Sequence, residues 1–143
     1  MIYLATSRVL DGEMRAKVDR HLRQRGAGWT TVEAPENAAG ELDGMSAESV
    51  CLFDCATMWL TNQMLGDGDL AAEQDRLLAA IDACRAQLVI VSNEVGHGIV
   101  PDNRLARDFR EAQGRLNIRL AAAADLVVQV TAGLPTVLKG SLP

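Results

Sequence analysis

The sequence predicts an α/β domain with a largely parallel sheet. Two observations carry this: short unbroken apolar runs recur along the chain, and helical stripes of apolar residues lie between them. Unbroken runs, unlike an in-out alternation, suit strands covered on both faces. At 143 residues the chain has the length of one domain, and folding at that size hides roughly 70% of the surface the extended chain exposes. A composition of 48% hydrophobic and 23% charged residues excludes intrinsic disorder. Residues 1–143 therefore read as a single α/β domain.

The elements follow in order. Residues 2–5 form the first apolar run. Residues 13–25 place Met14, Val18, His21 and Leu22 on one helical stripe. Residues 29–33 are a weaker strand candidate, and residues 35–48, the least periodic stretch, read as a variable connection. Residues 50–53 are a second apolar run, closed by Asp54. Gly66, Asp67, Gly68 and Asp69 have the turn chemistry of an exposed loop tip. Residues 69–85 are helical by the spacing of Leu70, Leu77, Leu78, Ile81 and Cys84, and residues 88–91 form a third apolar strand. A helix starts after Pro101, with Asp102 or Asn103 as its cap. It turns Leu105, Phe109, Ala112, Leu116 and Leu120 inward and Arg104, Arg107, Arg110 and Glu111 outward, while Gly114 costs it about 1 kcal/mol relative to Ala. Residues 126–130 are a fourth apolar strand and 136–138 a weaker one.

Several function classes are excluded. Fourteen basic residues against nineteen acidic ones, a net charge of −5, imply no nucleic-acid partner. No apolar run approaches about 18 residues, so no membrane span is expected, and no signal-peptide pattern opens the chain. Three cysteines (Cys51, Cys55 and Cys84) with no C-x-x-C pair suit neither a disulfide framework nor a zinc site. They fit a reducing cytoplasm.

In an open parallel sheet, ligands gather beyond the carboxyl ends of the strands. Those ends carry Thr6, Ser7 and Arg8, then Asp54, Cys55 and Thr57, then Ser92, Asn93 and Glu94, with the quieter Thr131 to Gly133 after the fourth. Asp54 closing an apolar strand is the pattern of an acid that holds Mg²⁺ in phosphoryl transfer; it equally suits a plain strand-end or helix-capping Asp. His21, among Arg20, Arg23 and Arg25, reads either as a boundary histidine under an amphipathic helix or as a nucleophile. A neutral imidazole can attack phosphorus, and neighbouring guanidinium groups would both stabilise the developing charge and favour the neutral ring. Gly96 and Gly98 permit positive φ or close approach of a ligand, and His97 between them reads as solvated. There is no nucleophile-elbow order, no H-E-x-x-H and no G-x-x-x-x-G-K-[ST] string.

Taken together, YLATS at 3–7, DGEMR at 11–15, His21 eight residues before Trp29, WTTVE at 29–33 and DCATMWLTN at 54–62 resemble one family. SNEVGHGIVP at 92–101, DNRLAR at 102–107, GRLN at 114–117 and GLP at 133–135 extend the likeness over nearly the whole chain. This family is the adenosylcobinamide kinase/adenosylcobinamide-phosphate guanylyltransferases of cobalamin biosynthesis. The resemblance implies a RecA-like P-loop-type fold, a mostly parallel sheet flanked by helices, and a homotrimer. It implies phosphorylation of adenosylcobinamide with ATP or GTP, then transfer of GMP from GTP to adenosylcobinamide phosphate through a guanylylated histidine. His21 matches that histidine. Ala5, Thr6, Ser7, Leu22, Arg23, Gln24, Arg25, Glu33 and Asp54 match the positions that contact GTP, with Asp54 also serving Mg²⁺. Asp54 is the shorter acid where some relatives carry Glu.

The strand, Gly-rich P-loop ending in Lys-Ser and helix that open the family's domain have no counterpart in this sequence. Met1 is therefore expected to be an internal methionine of a longer natural chain, or else the chain is a truncated relative. The kinase step is the one these residues support least, and loss of an internal strand is expected to leave apolar faces open. Two alternatives to the enzyme remain at this level: a non-catalytic remnant that binds guanine nucleotide, and a subunit that pairs with a P-loop-bearing partner.

Overall fold

A computed structural model describes residues 1–8 and 26–142. The helix expected over residues 13–25 lies outside them, as do His21, Leu22, Arg23, Gln24 and Arg25. The chain divides into two compact units, Met1–Asn93 and Glu94–Pro143.

The first unit holds a four-stranded parallel sheet made of β1 (Ile2–Ala5), β2 (Thr30–Glu33), β3 (Val50–Asp54) and β4 (Gln87–Val91). The strand order is β2-β1-β3-β4. Among the described residues three helices connect it: α1 (Ala38–Asp43), α2 (Ala56–Met64) and α3 (Leu70–Ala83). The α/β class with a parallel sheet is thus as the apolar runs predict.

Burial in the sheet is one-sided. The register sets Ile2 against Cys51 and Leu4 against Phe53, so Leu4, Thr6, Cys51 and Phe53 share a face, and all four are fully buried. The opposite face carries Tyr3, Ala5, Leu52 and Asp54, all half-buried, and continues on β4 with Val89 (55% exposed) and Val91 (39%). The expectation that each run is covered on both faces therefore fails within the described residues: one face is closed and the other only partly so. The core also takes in Leu42 of α1, Trp59 and Leu60 of α2 and Leu77 of α3. Each such side chain contributes about 1.5–3 kcal/mol by leaving water.

Two of these helices depart from the sequence reading. α1 occupies part of the stretch taken for an irregular connection; it buries Ala38, Ala39 and Leu42 in only six residues, too few for a period to show. α2 follows β3 directly from Cys55 and has only nine residues, too few turns for a helical stripe to stand out. α3 agrees with expectation. Asp69 caps it by accepting hydrogen bonds from the amides of Ala71 (2.9 Å) and Ala72 (3.3 Å), and residues 66–69 before it are exposed.

The second unit contains α4 (Arg104–Ala123) and a hairpin of β5 (Val127–Thr131) and β6 (Leu134–Lys139). Asn103 Oδ1 caps α4 through the amide of Ala106 at 2.8 Å, and the helix runs through Gly114 without a break. Leu116 is fully buried as expected, whereas Leu105 is 58% exposed. The fourth apolar run is not a buried parallel strand. It pairs antiparallel with β6, and every residue of β6 is exposed. The cause is the turn: Ala132 (φ 54°) and Gly133 (φ 78°) both lie at positive φ, the two-residue connection whose twist matches a hairpin. Lys139 Nζ donates to the carbonyls of Ala121 (3.1 Å) and Ala122 (2.9 Å), which are open acceptors at the end of α4.

Candidate functional site

The parallel register brings the ends of the strands to one level. Ala5 is the partner of Glu33 on one side and of Asp54 on the other, and Asp54 is the partner of Val91. Three of the sequence-nominated positions, Ala5, Glu33 and Asp54, thus lie side by side at the carboxyl edge, with Thr6 and Ser7 just beyond. Glu33 is exposed, Ala5, Ser7 and Asp54 are half-buried and Thr6 is fully buried. The ladder continues one step past the strands, with the amide of Thr6 donating to Asp54 O (3.2 Å) and that of Ala34 to Ala5 O (2.8 Å).

Side chains then lock this edge. The Thr6 hydroxyl donates to the carbonyl of Cys55 (2.7 Å) and accepts from the amide of the same residue (2.8 Å). That hydroxyl is committed to the backbone, so Thr6 faces the edge chiefly with its main chain. Tyr3 Oη donates to Asp54 Oδ2 at 2.6 Å, a short charge-assisted bond that holds the carboxylate in one orientation. The Asp54–Cys55 peptide is cis.

Helix α2 ties the neighbouring exits together. Asn62 Nδ2 donates to Thr6 O (2.7 Å) and to Pro35 O (2.8 Å). Trp59 Nε1 (3.1 Å) and Gln63 Nε2 (2.8 Å) both donate to Glu36 O. Thr57 Oγ1 accepts from the amide of Asn93 at 2.9 Å, past the end of β4. Arg8 pairs with Glu36 across the mouth of the edge. Sequence reasoning assigned no role to Tyr3, Trp59, Asn62 or Gln63, and placed Thr57 only in a cluster at a strand end. Their partners lie 23 to 56 residues away, and no local pattern announces such a bond.

Asp54 is the only nominated metal ligand, and among the described residues no group of three or more His, Cys, Asp or Glu side chains converges. One carboxylate at the carboxyl edge of a parallel sheet is nonetheless a donor that Mg²⁺ takes when phosphate oxygens and water complete its shell. Asp54 therefore fits the ion, though not an all-protein cage.

In the second unit, an open groove of about 420 Å³ lies between the 94–101 loop and α4. Two of the arginines expected on the solvated helix face, Arg107 exposed and Arg110 half-buried, also hold that loop. Arg107 Nη1 donates to Pro101 O (3.0 Å) and Asp102 O (2.7 Å), and Arg110 donates to Gly96 O. Glu94 Oε1 accepts from the amide of Gly96 at 2.6 Å, so the two-glycine loop is folded on itself. Arg104 and Arg115 remain exposed in helical ion pairs with Asp108 and Glu111. His97 is exposed, as expected.

The family model described as cobinamide kinase/cobinamide phosphate guanyltransferase matches residues 1–138. This chain belongs to that family. Its relatives include the bifunctional adenosylcobalamin biosynthesis proteins CobU of Escherichia coli K12, 38% identical over 155 residues, and CobU of Salmonella typhimurium LT2, 39% identical over 155 residues. Both alignments cover 97% of this chain and 86% of the relative. The bifunctional adenosylcobalamin biosynthesis protein CobP of Pseudomonas aeruginosa PAO1 is 37% identical over 141 residues, covering 96% of this chain and 82% of its own length. The four-stranded parallel sheet flanked by helices accords with a P-loop-type cobinamide kinase/guanyltransferase domain, and membership makes the chain a member of a transferase family in cobalamin biosynthesis. No helix among the described residues is long and apolar enough to cross a membrane.

Proposed function

We propose that this chain assembles the nucleotide loop of adenosylcobalamin, acting on adenosylcobinamide and adenosylcobinamide phosphate as a cytoplasmic homotrimer. In the guanylyl step, a ring nitrogen of His21 attacks the α-phosphorus of GTP. A P–N bond forms, the bond to the bridging oxygen breaks, and pyrophosphate leaves. A phosphate oxygen of adenosylcobinamide phosphate then attacks the same phosphorus, and His21 departs with its electron pair. Arg23 and Arg25 balance the charge of the transition state, and Leu22, Gln24, Ala5, Thr6, Ser7 and Glu33 contact the guanine nucleotide. Asp54, held by Tyr3, would take Mg²⁺; the ion would neutralise charge on the phosphates. The phosphorylation of adenosylcobinamide with ATP or GTP belongs to the same proposed activity.

The observation that supports this reading best is the register that sets Ala5 beside both Glu33 and Asp54 in a member of this family. The test is incubation with GTP radiolabelled at the α-phosphate. An acid-labile label on the protein that disappears in His21→Ala is the expected result. Measurable GTP binding with no label defeats the covalent mechanism and favours a nucleotide-binding remnant, and a label that appears only when a second protein is added favours the partnered subunit.

A further inference from the structure

We propose that Asn62 is a positioning residue that holds the exits of β1 and β2 at a fixed separation, and with them the groups assigned above to GTP. The proposal rests on the guanine-nucleotide reading of this edge.

The geometry is specific. Asn62 is 5% exposed on the second turn of α2. Its Nδ2 carries two hydrogens, one directed at Thr6 O and the other at Pro35 O, at 2.7 and 2.8 Å. Both carbonyls lie just past the last ladder residues, Ala5 and Glu33. Trp59 and Gln63 also reach across from α2, but both meet Glu36 O on the β2 side. Among these α2 donors, Asn62 joins both exits.

The residue type follows from the task. A planar NH₂ group offers two donors at a fixed angle, whereas an ionised Asp of the same shape offers only acceptors and would set oxygen against two carbonyls. A leucine of similar size would leave one buried and one part-buried acceptor without that donor, an arrangement more costly than the hydrogen bonds are favourable. The Thr6 hydroxyl, bound both ways to Cys55, carries the constraint on to the backbone beside Asp54. One amide thus sets the spacing between Ser7, Glu33 and Asp54, none of which it touches in this network. A residue of this kind contributes to ligand affinity by ordering the edge before the ligand arrives.

The test uses the full chain and two readouts. In the wild type, both Nδ2 protons of Asn62 are expected to exchange with solvent at least about tenfold more slowly than those of exposed asparagines such as Asn37; exchange at the exposed rate overturns the proposal whatever the variants do. In Asn62→Ala, amide exchange at Ser7 and Arg8 and at Glu36 and Asn37 should rise together by about tenfold, and GTP affinity by equilibrium dialysis should fall by about tenfold. Asn62→Asp should be at least as impaired. Leu77→Ala, which empties a core position of α3, is the control for general destabilisation. It should keep GTP affinity within about twofold of wild type. Unchanged exchange at either exit, or equal loss of GTP affinity in Leu77→Ala, overturns the positioning role. A wild-type chain that binds no GTP at all defeats the guanine-nucleotide reading and, with it, the claim on GTP; the exchange data then decide separately whether Asn62 joins the two exits.

Discussion

Tyr3 and Asp54 meet across adjacent strands: the phenol donates to carboxylate Oδ2 at 2.6 Å on the half-buried face of the sheet. Tyr3→Phe keeps the ring and removes only the donor. Stability should fall by about 1 kcal/mol, and Mg²⁺-dependent GTP affinity by about tenfold, because the carboxylate is no longer held in one orientation. Urea melts and Mg²⁺ titrations of GTP binding check both, and unchanged Mg²⁺ dependence would remove Tyr3 from the site.

Cys51 makes folding sensitive to alkali. Burial, reinforced by nearby Cys84 and partly opposed by a backbone hydrogen bond from Leu4, pushes its thiol from 9.0 to about 11. Below pH 9 the thiol is protonated in both the folded and the unfolded chain, so its contribution is fully present. Between about pH 9 and 11 the unfolded chain loses this proton first, and stability falls as pH rises. Urea midpoints measured from pH 8 to 11 should show that decline, and Cys51→Ala should flatten it. At pH 8 the folded protein should leave Cys51 unmodified by iodoacetamide.

Two positions test the hairpin in opposite directions. Ala132 carries a Cβ at φ 54°, so Ala132→Gly or Ala132→Asn should stabilise the turn by about 0.5–1 kcal/mol. Gly140 lies at φ 77°, and an added Cβ would come within 2.4 Å of Asp125 O, a backbone atom that cannot swing aside. Gly140→Ala should therefore destabilise the hairpin by more than about 1 kcal/mol. Backbone amide exchange across β5 and β6 distinguishes the two.

Trp59 is both core and clamp, nearly fully buried and bonded through Nε1 to Glu36 O at 3.1 Å. Trp59→Phe removes the donor and part of the ring, and a loss of about 2–3 kcal/mol is expected from the combined cavity and hydrogen-bond costs. Since Gln63 also donates to Glu36 O, the fold should survive, and calorimetry should show a lowered but still cooperative transition.

Strong apolar period was enough to read β1, β3, β4, α3 and α4 from the sequence, since each carries a recurring set of apolar side chains within its own length. The quoted strings, and not any periodicity, pointed to the family and to Ala5, Glu33 and Asp54 as neighbours in function. Short helices escaped that reading. α1 has six residues and α2 nine, lengths over which a helical stripe repeats too few times to stand out from an irregular stretch. The last apolar run was also misplaced, because an apolar strand looks alike in a parallel sheet and in a hairpin, and only the positive φ of Ala132 and Gly133 separates them.

What the sequence by itself determined is the kind of each strongly patterned element, its order and the family to which the chain belongs. The tertiary structure alone decided which strand ends share a level, that one face of the sheet is closed while the other stays half-open, and which carbonyls the Asn62 amide meets. The physical reason is range. Propensity and period act within a few residues, whereas register joins Ala5 to Glu33 and Asp54, and the bonds of Tyr3 and Asn62 span 51 and 56 positions, distances that only the packed chain closes.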